Sequence, residues 1–85
     1  MSPVSKATVE QLKSEMYAIL TQSASELFLR RVDAILEDCT AGKLTASQTC
    51  EKVQKLVGLF IDESKAREIA TRCAPIIAKE SAAER

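Results

Sequence analysis

The stretch LEDCTAGKLTASQ, residues 36–48, decides how this chain is divided into helices. Gly42 suits the position just past a helix end, because glycine adopts the left-handed backbone conformation found there without steric cost. Thr45 follows as a helix cap, and Gln48 lies three residues later, where its side chain can reach back to the cap. The stretch therefore predicts a corner at which one helix ends and the next begins.

The same stretch resembles a calcium-binding loop in outline, because such loops place glycine at the sixth of twelve positions. With Gly42 at that position, the ligand positions one, three, five and twelve are Glu37, Cys39, Ala41 and Gln48. Only one of these four side chains is acidic, whereas calcium requires several oxygen ligands. We therefore predict that the corner binds no metal ion.

Composition and charge limit the classes of protein to which the chain can belong. A length of 85 residues predicts a single helical domain over residues 1–85. The 12 basic and 12 acidic residues cancel, so no overall charge attracts the chain to nucleic acid or to an anionic membrane. The longest apolar run, LVGLFI at residues 56–61, falls far short of the roughly 20 residues of a membrane span.

The amino terminus and the cysteines point to a reducing compartment. Residues 1–11, MSPVSKATVEQ, lack the basic start and apolar middle of a secretory signal, which predicts a cytoplasmic protein. Three cysteines at helical positions predict reduced thiols rather than a disulfide framework. The chain contains no histidine and no C-x-x-C pair, so we expect neither a metal nor a cofactor.

Apolar residues that recur at spacings of three and four predict helices, and no segment alternates with the period of a strand. We expect an all-α fold, a compact bundle of four short helices joined by tight capped turns. The first helix is expected to run from Val9 to Thr21 after a cap at Thr8. The second is expected to open at a cap formed by Ser23 and to end near Thr40.

The third helix is expected to begin after Thr45 and to reach about Val57. Gly58 is its predicted stop, because glycine commonly ends helices. If the helix instead continued through Gly58, Leu59 would project into solvent beside two lysines. We therefore predict that the third helix stops at Gly58.

The fourth helix is predicted to start after a cap at Asp62 and to contain a proline. Pro75 lacks a backbone donor and crowds the preceding turn, yet the apolar pattern continues on both sides of it. We therefore predict a helix that is kinked near Pro75 and ends near Lys79. Residues 1–7 and 80–85 are expected to fray.

Each helix presents one apolar face that is predicted to point into the core. The predicted core residues are Val9, Leu12, Met16, Ile19, Leu20, Phe28, Leu29, Val32, Ile35, Leu36, Cys39, Ala46, Cys50, Val53, Leu56, Val57, Phe60, Ala66, Ile69, Ala70, Cys73, Ile76 and Ile77.

The residues that could carry catalysis have simpler structural interpretations. Asp33 and Glu37 share a helix face at the spacing of a general acid and base, but that face is polar and carries arginine, so solvation is favoured. Cys39, Cys50 and Cys73 fall on apolar faces, and a cysteine nucleophile would lack a histidine base. We predict that the chain is not an enzyme.

A helix-turn-helix-like DNA-binding protein using residues 46–74 is the alternative hypothesis. Against it, the predicted turn GLFID at residues 58–62 is too long, and Ser64 and Arg67 fall where apolar residues are wanted. The five basic residues within 62–85 are matched by five acidic ones, which leaves little attraction for phosphates.

Four apolar residues are poorly accommodated by the predicted helix faces: Tyr17, Leu27, Leu59 and Phe60. Such leftover apolar surface is typical of contacts with another protein or with a second copy of the same chain. We therefore predict a small non-enzymatic protein-interaction module that acts in the assembly or regulation of a larger complex.

Overall fold

Four α-helices make up the regular structure of residues 5–83 in a computed structural model. The model describes the backbone of residues 5–83 and the side chains of residues 5–80. Residues 5–83 contain no strand, so the all-α prediction is confirmed. The helices are α1 (Lys6–Leu20), α2 (Glu26–Thr40), α3 (Ala46–Phe60) and α4 (Glu63–Ala83).

The end of α2 is closed by glycine, as the sequence predicted. Gly42 has a φ of 84°, the left-handed conformation that other residues adopt only with strain. Its N–H donates to the carbonyl of Cys39 at 3.1 Å, and the N–H of Lys43 donates to the carbonyl of Asp38 at 2.9 Å. This pair of bonds satisfies carbonyls at the helix end that would otherwise lack donors.

The starts of α3 and α4 also follow the prediction. The Thr45 hydroxyl accepts from the N–H of Gln48 at 3.0 Å, and the Gln48 side chain accepts from the N–H of Thr45 at 3.0 Å. The Asp62 carboxylate accepts from the N–H of Lys65 at 2.8 Å. Each cap satisfies helix donors that have no partner within the helix itself.

The predicted cap of α1 was wrong by three residues. Ser5 rather than Thr8 caps the helix, because its hydroxyl accepts from the Thr8 N–H at 3.2 Å. The Thr8 hydroxyl instead donates to the Glu80 carboxylate on α4 at 2.8 Å, a contact between distant parts of the chain. α1 therefore begins at Lys6, inside the segment predicted to fray, and residues 1–4 of that segment lie outside the described residues.

The predicted cap of α2 was wrong by two residues. Ser25 caps this helix and accepts from the Phe28 N–H at 3.2 Å. Ser23 cannot open the helix because its own N–H, like that of Ala24, donates to the carbonyl of Leu20 and so belongs to the end of α1. Two nearby serines are equivalent as local signals, and the extent of the preceding helix decides between them.

The predicted stop of α3 at Gly58 was also wrong, since the helix continues to Phe60. A Cβ atom added at Gly58 would lie 3.9 Å from the Cβ atom of Ala66, so the glycine faces α4 within a close helix contact. The helix ends at Ile61, whose φ and ψ of −123° and −86° are not helical. The connection to α4 is therefore only two residues long.

α4 continues through Pro75 as one helix, as predicted, and the predicted kink near Pro75 stays a prediction. Proline has no N–H with which to bond the carbonyl of Thr71, while Ile76 and Ile77 beyond it pack against the core. The helix extends past the predicted end at Lys79 to Ala83. Residues 84–85 of the tail predicted to fray lie outside the described residues.

Each helix packs against its neighbour in the chain, and α4 closes the bundle against α1. The contact between α3 and α4 is the most extensive, as the small side chains facing Gly58 allow. The radius of gyration is 12.0 Å, in agreement with the roughly 12 Å of a folded chain of this length.

The core draws on all four helices and agrees closely with the predicted apolar faces. Thr49 is a buried polar residue that the prediction did not include, and its hydroxyl donates to the Thr45 carbonyl at 2.8 Å. Phe60, predicted to face inward if α3 reached it, is exposed instead. The buried hydrophobic residues are Val9, Leu12, Met16, Ile19, Leu20, Val32, Leu36, Cys39, Ala46, Cys50, Val53, Val57, Ile69 and Cys73.

Candidate functional site

Two of the four apolar residues predicted to contact a partner lie in one groove. Leu27 lies in the first turn of α2, and Phe60 is the last residue of α3. We use the term end groove for the concave surface between the α1–α2 loop, the start of α2 and the end of α3, which has a volume of about 500 Å³. Its lining residues are Ser23, Ala24, Ser25, Leu27, Phe28, Arg31, Phe60 and Ile61.

The continuation of α3 past Gly58 is what builds this groove. It carries Phe60 to the start of α2, where its ring contacts Phe28 with the centroids 6.4 Å apart and the planes at 67°. This edge-to-face arrangement is a favourable one for aromatic pairs. Phe28 is half-buried and packs against the core, so it supports the exposed ring of Phe60.

The apolar side chains of the end groove are open to solvent. Leu27 is 72% exposed and Phe60 is 68% exposed. Single exposed apolar residues are ordinary on protein surfaces, but here two of them adjoin the half-buried Phe28 and Ile61 in one concave patch. Covering this apolar surface with another molecule would remove it from water, which favours association.

Arg31 is the charged member of the groove lining. The amino-terminal end of α2, with its positive dipole, and the carboxy-terminal end of α3, with its negative dipole, both meet the groove, so their fields oppose each other. Arg31 supplies a full positive charge at the groove, whereas each helix end contributes only a partial one. Leu27 and Arg31 are four residues apart on α2 and therefore lie on the same side of the helix.

Tyr17 and Leu59, the other two predicted interface residues, do not line the end groove. Tyr17 is half-buried against the core, its hydroxyl donates to the carbonyl of Leu29 at 3.3 Å, and burial raises its pKa. The ammonium of Lys13 lies 5.4 Å from the centre of its ring. Leu59 is 78% exposed on α3, as expected of a helix that continues through Gly58.

The carboxylates Asp33 and Glu37 both line a surface pocket between α1 and α2, together with Glu10 and Lys13. Asp33 forms an ion pair with Lys13 at 3.0 Å, and this hydrogen bond raises the pKa of the lysine. Glu37 is exposed. Within the described part of the chain, no group of three cysteine, histidine, aspartate or glutamate side chains is placed to hold a metal ion.

The three cysteines are free and buried, as predicted for reduced thiols packed as small hydrophobic groups. Burial raises the pKa of Cys39. Proximity of the Cys73 thiol lowers the pKa of Cys50, and the same proximity, together with burial, raises the pKa of Cys73. Cys50 on α3 and Cys73 on α4 therefore lie near each other, within the most extensive helix contact of the bundle.

We expect all three thiols to resist a water-soluble disulfide reagent in the folded protein. Thiolate formation alone does not make a buried cysteine reactive, because the reagent must also reach the sulfur. The reagent is an aromatic disulfide, and each protein thiol that reacts with it releases an absorbing aromatic thiolate. Little of this thiolate should be released in buffer, whereas all three protein thiols should react rapidly in guanidinium chloride. Fast reaction of Cys50 or Cys73 under native conditions would show that the bundle opens locally between α3 and α4.

The helix pair of the DNA-binding alternative, residues 46–74, has a shorter connection than predicted. Ile61 and Asp62 alone join α3 to α4, so the objection based on turn length no longer holds. Ser64 and Arg67 are both exposed on α4, where a helix-turn-helix pair would need apolar contacts. The match of five basic and five acidic residues within 62–85 also remains.

Comparison of the chain with protein-family models, with curated proteins and with solved structures finds no match. Among the described residues, no helix combines the length and the apolar character that a membrane span requires. Within residues 5–83 the fold is an all-α bundle of four helices, and the end groove lies at one end of this bundle.

Proposed function

We propose that this chain is a small non-enzymatic protein-interaction module that acts in the assembly or regulation of a larger complex, with the end groove as its docking site. The observation that carries the proposal is the position of Leu27 and Phe60, each more than two thirds exposed, in a single groove. An apolar concave surface with one charged side chain is typical of a site that binds a partner segment.

The composition of the chain supports the same proposal. Three free cysteines are compatible with the reducing cytoplasm, where we place the protein. The equal numbers of acidic and basic residues favour a partner that is recognised by apolar contact over one recognised by general electrostatic attraction. Binding to a protein is therefore favoured over binding to DNA.

We expect the double variant Leu27→Ser/Phe60→Ser to lose capture of a partner from an extract of the source cells. Removing two central apolar anchors should weaken binding about tenfold or more, because a few such residues carry most of the free energy of an interface. The unaltered protein and Leu59→Ser serve as companion baits, since Leu59 is equally exposed but lies outside the groove. Quantitative mass spectrometry measures the protein captured by each.

We call Leu27→Ser/Phe60→Ser the groove variant. A partner that is lost with Leu59→Ser and retained by the groove variant would show that the docking site lies on the outer face of α3. The DNA alternative is tested in parallel with Lys65→Glu/Arg67→Glu in gel-shift assays at increasing salt. A duplex shift that falls steeply with salt and disappears in this variant would favour the helix pair 46–74 over the proposed function. Circular dichroism of every variant establishes that the helices are intact.

A further inference from the structure

We infer that the end groove binds the apolar face of an amphipathic helix from a partner protein, and that a carboxylate on this helix pairs with Arg31. The inference rests on the proposed function and adds the chemical class of the partner. Three observations carry it, namely the size of the groove, the spacing of its apolar and charged groups, and the surroundings of Arg31.

The groove is too small to support a stable dimer of this chain by itself. Eight residues line it, whereas a stable interface takes about 800 Å² and 20–30 residues from each partner. Its volume of about 500 Å³ instead matches sites that enclose a small ligand or a few side chains. A helix that inserts one or two apolar anchors has the required size.

The spacing of Leu27 and Arg31 matches the spacing of side chains on a helix. They are four residues apart on α2 and both line the groove, so they lie about one helical turn, or roughly 6 Å, from each other. An apolar side chain that contacts Leu27 and a carboxylate that reaches Arg31 would be separated by the same distance on the partner. Residues three or four apart on an amphipathic helix have this separation.

The neighbours of Arg31 on its own helix are all apolar, which leaves its charge available to a partner. The residues three and four positions away are Leu27, Phe28, Ala34 and Ile35. Among the described residues, ion pairs join Lys13 to Asp33 and Glu15 to Arg72, and none includes Arg31.

The adjacent Arg30 differs from Arg31 in its surroundings. Glu26 stands four residues before it, so its own helix supplies an opposite charge on the same face, whereas Asp33 is paired with Lys13. The planar guanidinium of Arg31 can hold a carboxylate through two parallel hydrogen bonds beside an apolar contact. This combination selects an acidic amphipathic helix over a basic one.

The test is a selection from a displayed library of helical peptides, each about 15 residues long so that the helix can form in water. Each peptide carries leucine at two positions one turn apart, and its other positions are randomised. The baits are the unaltered protein, Arg31→Glu, Leu27→Ser/Phe60→Ser, and Arg30→Glu as the matched charge control. The unaltered protein should enrich aspartate or glutamate three or four residues from a leucine.

With Arg31→Glu this acidic preference should disappear and lysine or arginine should replace it, whereas Arg30→Glu should keep the original preference. Titration of the best acidic peptide should show binding weakened about tenfold or more by Arg31→Glu. In NMR spectra the same peptide should shift the methyl signals of Leu27 and the ring signals of Phe28 and Phe60.

The inference is overturned if Arg31→Glu selects the same acidic peptides, if basic peptides are selected first, or if no helical peptide is enriched. Sedimentation velocity that shows a dimer dissociated by Leu27→Ser/Phe60→Ser would make a second copy of the chain the occupant instead. If Arg31→Glu captures the cellular partner undiminished while the groove variant does not, the proposed function stands and the acidic helix is rejected. If the groove variant also captures it, both fail.

Discussion

Replacing Leu12 with alanine is expected to lower the free energy of unfolding by about 3 kcal/mol, within a range of roughly 2–5 kcal/mol. Leu12 lies in the middle of α1 and has 0% of its surface exposed. Alanine would remove its buried methyl groups and leave a cavity that neighbouring helices close only in part. Chains of this length have a total stability of about 4–13 kcal/mol, so the loss is a large part of it.

Thermal melting followed by circular dichroism measures the effect, and the midpoint should fall by roughly 10–20 °C. Leu27→Ala is the matched control, since it makes the same substitution in a helix at a side chain that is 72% exposed. Its stability should change by no more than about 0.5 kcal/mol. Equal effects of the two substitutions would contradict the central position of Leu12 in the core.

Substituting alanine at the two glycines is expected to change stability in opposite directions. Gly42→Ala should destabilise the protein by about 1–2 kcal/mol, because the residue holds a φ of 84° that a Cβ atom disfavours. Gly58→Ala should stabilise it by about 0.5–1 kcal/mol, because alanine is the better helix former. The added Cβ atom would make an ordinary contact with Ala66 at 3.9 Å.

Urea unfolding of both variants beside the unaltered protein gives the two differences under one set of conditions. Each variant is the control for the other, since the chemical change is identical and only the backbone conformation differs. A loss of stability at Gly58 would mean that α3 and α4 cannot accommodate a methyl group at their contact. A gain at Gly42 would mean that the end of α2 does not use the left-handed conformation.

Helix ends could be predicted from the sequence where only one nearby residue was suited to cap or end the helix. Thr45 with Gln48, Asp62 and Gly42 each satisfy backbone groups within a few residues of themselves, so distant contacts are not needed to select them. The apolar faces were predictable for a related reason, because a spacing of three and four residues places side chains on one side of any helix.

Helix ends were mispredicted where the sequence offers two equivalent signals or one ambiguous signal. Ser5 and Thr8 both fit the cap of α1, and the bond from Thr8 to Glu80 on α4 is one that local sequence does not contain. Gly58 can end a helix or allow close approach of another one. Its contact with Ala66 on α4 selects the second role.

Helix periodicity was enough to predict the class of fold, most of the core and the exposed apolar residues from which Leu27 and Phe60 of the candidate site are drawn. Caps that act over a few residues were enough to predict several helix ends. The tertiary structure decided which of those residues form a site. Leu27 and Phe60 line one groove because α3 continues through Gly58 to the start of α2. Tyr17 is drawn instead into the contact of α1 with α2. Both outcomes depend on packing between helices, which acts at separations along the chain that local pattern does not encode.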